Sequence, residues 1–307
     1  MKRDILVSEV GPRDGLQSIK SIMPLAAKKA WISALAASGL REIEVGSFVP
    51  AQVLPQLADT AEVVAHALTI PNLTVAVLVP NLRGAEAAVR AGAHKLTIPF
   101  SASETHSLKN VRRTHAQMFD EVRGIVALLA AQPAKTRPKL EGGLSTAFGC
   151  TYEGVVPADK VVALAEQLVS AGCDEVGLAD SVGFANPAQV RDLVVRVRAV
   201  TGKQRFAGLH LHNTRGLGLA NVVAGLEVEV DTFDSSMGGI GGCPFAPGAT
   251  GNIVTEDLVF MLEAMGLHTG IDFEKLMAAR TILAAAVPGE ELYGYVPAAG
   301  LPRGAVV

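Results

Sequence analysis

Cysteine is scarce in this chain. Cys150, Cys173 and Cys243 are the whole complement in 307 residues. A sparse, odd set with no close pair excludes a disulfide framework and a zinc knuckle. Aromatic residues are only 5% of the chain, too few for surfaces that stack nucleic-acid bases. Neither sign of charge dominates: 27 Lys and Arg stand against 30 Asp and Glu, a net charge of −3. The basic footprint of a nucleic-acid binder is therefore missing. No apolar run approaches the roughly 20 residues that a membrane helix needs. The first ten residues mix charges with a strand-like run and lack the apolar core of a signal peptide. These absences predict a cytoplasmic protein with neither nucleic acid nor membrane as partner. The glycosylation sequon Asn72-Leu73-Thr74 is then read as chance.

What is present is a regular alternation of short β-rich runs and longer Ala/Leu/Val-rich helical runs. The first strand is read over Ile5 to Val10, closed by Gly11-Pro12. Further strands are expected at Glu42 to Val45, Leu73 to Val79, Lys95 to Pro99, Lys139 to Ala147, Asp174 to Ala179, the run ending in His210 and His212, and Val230 to Asp234. Helices are expected between them, among them Leu54 to Leu68, Pro157 to Ala171 and Asn252 to Met265. Ser101 to Lys109 reads as a polar loop. Eight βα units in series over about 250 residues are the pattern of a (β/α)8 TIM barrel, an α/β fold. The alternative, an open doubly wound sheet, is disfavoured because no dinucleotide glycine fingerprint follows the first strand. A further helix over Asp272 to Ala285 gives a C-terminal helical appendage. The expected organisation is one catalytic barrel over residues 1–285 and a Gly/Pro-rich tail over 286–307.

In such a barrel chemistry gathers at the C-terminal ends of the strands. Strand one ends in Arg13-Asp14-Gly15, strand two carries Glu44, strand six ends in Asp180, and strand seven ends in His210-Leu211-His212. Residues two apart on a strand share a face, so the two imidazoles can share an ion. Two imidazoles and the Asp14 carboxylate suit a divalent ion with open positions. Asn252 as a further oxygen donor favours Mg²⁺ or Mn²⁺ over Zn²⁺. Arg13 carries a rigid fork suited to an enolate or carboxylate oxygen, and Glu44 can hold it or act as an acid or base. Cys243 lies in the glycine-rich run 238–252, which can close over a substrate, and its thiol can exchange a proton. Plainer roles stand beside each of these. Asp14 and Asp180 suit turns, the histidines suit a polar barrel mouth without metal, and Arg13 suits a salt bridge to Glu44 or Glu9. Asn252 suits a helix cap and Cys243 a small packing residue. Cys150 and Cys173 are expected in the core. His66, His94, His106, His115 and His268 are expected in surface or capping roles.

Glu9-Val10-Gly11-Pro12-Arg13-Asp14-Gly15-Leu16-Gln17 resembles the opening of 3-hydroxy-3-methylglutaryl-CoA lyases. Asp234-Ser235-Ser236, Gly241-Gly242-Cys243-Pro244-Phe245-Ala246 and Ala249-Thr250-Gly251-Asn252 continue the likeness, which runs from about residue 4 to 285. The resemblance implies cleavage of hydroxymethylglutaryl-CoA, an acyl-CoA thioester, to acetyl-CoA and acetoacetate. It implies Asp14, His210 and His212 as ligands of a divalent cation, with Asn252 nearby or coordinating. It places Arg13 on the thioester oxygen with Glu44 supporting it, and Cys243 as an acid/base group. His210 is the expected base for the C3 hydroxyl, and a homodimer or higher homo-oligomer is the expected assembly. Two runs depart from the family pattern. Asn213 and Arg215 follow His212 where Asp and Tyr are familiar, and strand five reads Glu141-Gly142-Gly143-Leu144-Ser145-Thr146 where the animal enzymes carry an Arg and a Cys. Lys20 is read as a solvated lysine rather than a contact to CoA phosphate.

A related Claisen-condensing synthase, of the isopropylmalate or homocitrate kind, also carries Arg-Asp-Gly and His-x-His. The run around Cys243 and the lack of a large C-terminal regulatory domain favour the lyase. A biotin-dependent carboxyltransferase would want a strand-end lysine at the metal site, and none is placed there. A non-catalytic acyl-CoA-binding barrel would not need Arg13, Asp14, Glu44, His210, His212 and Cys243 together.

Overall fold

The computed structural model describes residues 3–241 and 251–304. β1 (Leu6–Glu9) leads through a π-helical turn at Gly11–Gly15 into the short α1 (Leu16–Ser18), and α2 (Leu25–Ala37) completes the first unit. β2 (Glu42–Ser47) precedes α3 (Thr60–Ala67), β3 (Thr74–Leu78) precedes α4 (Leu82–Ala91), and β4 (Lys95–Ser101) precedes α5 (Glu104–Asn110) and α6 (His115–Ala130). β5 (Lys139–Ser145), α7 (Ala158–Ala171), β6 (Glu175–Asp180), α8 (Pro187–Thr201), β7 (Phe206–Leu211) and α9 (Gly218–Glu227) follow. β8 (Thr232–Ser235), α10 (Thr255–Ala264), α11 (Phe273–Ala286) and α12 (Tyr295–Ala299) end the described chain.

The eight strands pair in parallel in chain order, and β8 pairs with β1 (Val7 opposite Phe233, Ser8 opposite Asp234) to close the barrel. The expected (β/α)8 architecture is therefore the one observed. Local sequence explains much of it. Thr114 and Asn186 cap α6 and α8 in reciprocal pairs with Gln117 and Gln189. The outward side of β4 carries Leu96, Ile98 and Phe100, all fully buried beneath the helices. Burial of each such side chain contributes about 1.5–3 kcal/mol. The main hydrophobic core is thus the layer between strands and helices.

Two expectations fail locally. Leu54 to Leu68 is not one helix, because a 3-10 turn at Pro55–Leu57 precedes α3. Ala58 and Asp59 separate the two, with Asp59 at the N-cap position of α3. Ser101 to Lys109 is not a loop, since Ser103 accepts from the His106 amide (3.1 Å) and caps α5.

The inner face of the strands is polar. Lys95 Nζ lies 2.8 Å from Glu141, 3.0 Å from Glu175 and 3.4 Å from Glu42, all four side chains largely withdrawn from solvent. Most barrels of this kind fill the interior with Val, Ile and Leu. Here one cavity of about 840 Å³ opens at the C-terminal mouth and reaches Lys95, the first residue of β4.

Candidate active site

The π-helical turn after β1 brings the amides of Arg13 (3.1 Å) and Asp14 (2.7 Å) to the carbonyl of Val10. This sets both side chains at the mouth, where they line the cavity. Arg13 Nε donates to Glu44 Oε2 at 2.5 Å, and its Nη1 donates to Asp14 Oδ1 at 2.6 Å. Neither bond uses Nη2. Burial opposes the charge on Arg13, but the Glu44 and Asp14 carboxylates outweigh it and raise its pKa. Burial also raises Glu44, against the pull of Arg13. Glu44 does not line the cavity, so it contacts Arg13 from behind. The expected pairing of Arg13 with Glu44 is present, and the alternative with Glu9 is not. Glu9 instead accepts from the amides of Gly11 and Met237 and from the Thr255 hydroxyl.

One ligand atom each from Asp14, His210 and His212 falls within 4.8 Å of the others. His210 Nε2 and His212 Nε2 are 3.1 Å apart. Two donors at a right angle, each about 2.1 Å from one ion, would be separated by about 3 Å. Burial, and next the neighbouring His210, push His212 down to about 3, so its ring is neutral and has a lone pair to offer. Burial opposes the charged form of His210. The hydrogen bond from its Nδ1 to Asp234 Oδ2 (3.0 Å), with the charges of Asp14 and Asp234, overrides this and raises its pKa. Asp14 is pushed up by burial, but Arg13, His210 and His212 together hold it below the usual carboxylate value.

Asn252 pairs by backbone with His212 as an isolated bridge, and its Nδ2 donates to Asp14 Oδ2 at 2.7 Å. It does not cap α10, whose N-cap is Val254. Among the described residues, Asn252 Oδ1 is buried without a hydrogen-bond partner. A buried amide oxygen left unpaired costs about 1–3 kcal/mol. An oxygen-preferring divalent cation beside Asp14 would satisfy it, so the donor set fits such an ion. Gly241 packs against this pair at φ +116°, and a Cβ there would lie 2.3 Å from Asn252 Nδ2. Only glycine allows this approach.

Several residues fall elsewhere. Asp180 accepts from the amides of Phe184 and Ala185, so it shapes the turn after β6, as its plainer reading allowed. Asn213 accepts from the Gly218 amide, and Arg215 donates to the carbonyls of Val182 and Gly183 and covers the Phe184 ring. Neither lines the main cavity, whereas Glu141 does. Lys20 does not line it either. Cys150 and Cys173 are free and buried, as expected. Cys243 lies outside the described residues.

Two residues escaped the sequence reading. Asp234 orients His210 from the next strand, and the signal was an acidic residue at the end of β8, in register with His210. His106 is not a surface residue. It is buried at the cavity wall, with Nδ1 2.7 Å from Ser101 Oγ, which in turn is 3.0 Å from Ser145 Oγ. Reading α5 as a loop hid it.

The HMGL-like family model matches residues 4–283. The chain is 40% identical over 277 residues to a hydroxymethylglutaryl-CoA lyase of Bacillus subtilis, covering 90% of this chain and 91% of that protein. It is 39% identical over 287 residues to the human mitochondrial hydroxymethylglutaryl-CoA lyase, covering 94% and 87%. A solved HMG-CoA lyase from Acinetobacter baumannii, in complex with coenzyme A and 3-methylmalate, superposes with a TM-score of 0.91 at 40% identity, covering 99% and 97%. The carboxyl transferase domain of Rhizobium etli pyruvate carboxylase, at 17% identity and a TM-score of 0.69, shares the fold alone. With its first strand, its closed barrel and nearly its whole length matched, this chain belongs to the HMGL-like family and is a carbon–carbon lyase.

Proposed function

We propose that the chain cleaves 3-hydroxy-3-methylglutaryl-CoA, or a close 3-hydroxy-3-alkylacyl-CoA, to acetyl-CoA and acetoacetate or the corresponding keto acid. The observation that carries this reading is the convergence of Asp14, His210 and His212 beside Arg13 at the mouth of one cavity. Asp14, His210, His212 and Asn252 would hold Mg²⁺ or Mn²⁺. Such an ion lowers the pKa of a hydroxyl and fixes its orientation. Breaking the C2–C3 bond requires loss of the C3 hydroxyl proton. His210 is the assigned acceptor, with Asp234 on Nδ1 balancing the charge it gains. Nδ1 is thereby taken, so the ligand and acceptor roles compete for Nε2, and proton transfer needs that atom released. The electron pair of the broken bond becomes the acetyl-CoA enolate. Arg13, held in place by Glu44, stabilises the enolate oxygen. Cys243 or a water returns a proton to the enolate carbon.

The cavity rim supports a coenzyme A thioester. Lys109, Arg112 and Arg113 lie on one side of it, suited to phosphates, and Val49, Pro50, Val53 and Leu54 give it an apolar side. Assembly as a homodimer or higher homo-oligomer and a cytoplasmic location belong to the same proposal. Among the described residues no helix is long and apolar enough to cross a membrane. The test is a coupled assay of acetyl-CoA release from hydroxymethylglutaryl-CoA with Mg²⁺ or Mn²⁺. The expected result is turnover that chelation abolishes and that Arg13→Gln lowers by about 10³-fold. Absence of turnover with the ion bound overturns the assigned substrate.

A further inference from the structure

The cavity continues well below the catalytic layer. Along β4 it is lined by Lys95, Thr97 and Pro99, and along β5 by Glu141, Gly143 and Ser145. These alternate residues of the two strands face one continuous space. The strand register sets the levels. Ala179 of β6 pairs with His210, while Gly177 pairs with Gly143 and Gly208. One two-residue step below His210 the wall is therefore glycine on three neighbouring strands, and Ala207 adds only a methyl. A Cβ on Gly177 would lie 2.4 Å from Glu141 Oε1, so the Glu141 carboxyl occupies the space that a larger residue would take. The shaft ends at Glu141 and Lys95, which are paired at 2.8 Å. Two residues of strand are about 6.6 Å, the length of a chain of four or five atoms and far more than a methyl group occupies.

The thioester enters from the solvent side, because coenzyme A is too large for the barrel. The acyl group is therefore the part directed inward. We infer that this chain takes a 3-hydroxyacyl-CoA whose C3 substituent is a four- or five-atom arm ending in a hydroxyl, that the arm fills the shaft, and that its hydroxyl donates to Glu141. This rests on the cleavage reading above and names its substrate class. The end of the shaft selects the terminal group. Glu42, Glu141 and Glu175 repel a carboxylate, Lys95 repels an ammonium, and a plain alkyl end would leave Glu141 facing carbon. A neutral donor satisfies Glu141 without adding charge. Among Asn213, Arg215 and Glu141, Glu141 alone lines this cavity, which makes it the specificity residue, with Gly143 providing the room.

The test compares three thioesters on the metal-loaded protein: the 3-methyl compound, its 3-butyl analogue and its 3-(4-hydroxybutyl) analogue. The expected kcat/KM for the hydroxybutyl thioester is within about tenfold of the methyl compound or above it, and at least about tenfold above butyl, the worth of one hydrogen bond to a buried carboxyl group. Gly143→Val should lower the hydroxybutyl-to-methyl ratio by about tenfold or more by filling the shaft. Glu141→Leu should reverse the order of hydroxybutyl and butyl, and Glu141→Gln serves if the Leu variant does not fold. A wild-type ratio below these values, or a ratio that Gly143→Val leaves unmoved, overturns the inference while methyl turnover still supports cleavage. If none of the three is cleaved, the cleavage reading fails. Calorimetric binding of the same thioesters then decides the shaft: about tenfold tighter binding of hydroxybutyl than butyl supports it, and equal binding overturns it.

Discussion

Addition of Mn²⁺ should raise the melting temperature of the protein by an amount set by its size and by the site. An ion that binds only the folded chain at 100 times its dissociation constant stabilises it by about 2.7 kcal/mol. Unfolding entropy near the melting point is about 2.1 cal/mol/K per residue, or about 0.64 kcal/mol/K for 307 residues. The expected rise is about 4 °C, reversed by chelation. The proposed ligands Asp14 and His212 are both buried, and the unfolded chain does not hold them together, so differential binding should be large. Differential scanning calorimetry with and without the ion gives the shift, and titration calorimetry gives the constant. An Asp14→Ala, His212→Ala double variant should melt at the same temperature with and without Mn²⁺. A 4 °C shift that survives in that variant would place the ion elsewhere and refute the argument from the converging donors.

Three further outcomes follow from the described contacts. Glu44→Gln removes the charge that holds Arg13 Nε and should lower kcat by about 10–100-fold with a smaller change in KM, measured by steady-state kinetics. Lys95→Met leaves Glu42, Glu141 and Glu175 facing one another in the barrel and should cost about 3–5 kcal/mol, read as a lower denaturant midpoint. Burial, opposed by its three hydrogen bonds, lifts Glu9 from the usual 4.5 to about 8. The folded state then holds a proton that the unfolded chain releases. This contribution to stability is complete below pH 4.5 and is lost as the pH rises towards 8, and Glu9→Gln should flatten that decline in urea melts taken from pH 5 to 8.

The barrel was legible because strand and helix periods alternate without interruption from Ile5 onward. The candidate site was legible because most of its members sit at strand ends, where side-chain alternation already fixes direction. Asp14, His210 and His212 converge as that rule requires, and Asn252 joins them from the run beyond β8. What the rule could not supply was contact between neighbouring strands. The Asp234 support for His210 depends on the register of β7 against β8, which no periodicity reveals. His106 was lost for a different reason, since a seven-residue helix with polar composition carries too weak a pattern to be told from a loop. The same holds inside the barrel. Lys95 and Glu141 look like surface residues in sequence, and only closure of the sheet turns them inward.

Closure also governs when the site comes into being. Its donors come from the end of β1, from the end of β7 and from residue 252, beyond β8, so they straddle the seam where the last strand meets the first. A nascent chain carries Asp14 from the outset, yet the proposed binding centre cannot form until nearly 240 further residues have been made and the final strand has docked. On the proposed function a half-built barrel is therefore expected to be inert toward the ion as well as toward substrate. Uptake of a spectroscopically visible cation during refolding would time the last step of assembly rather than the first.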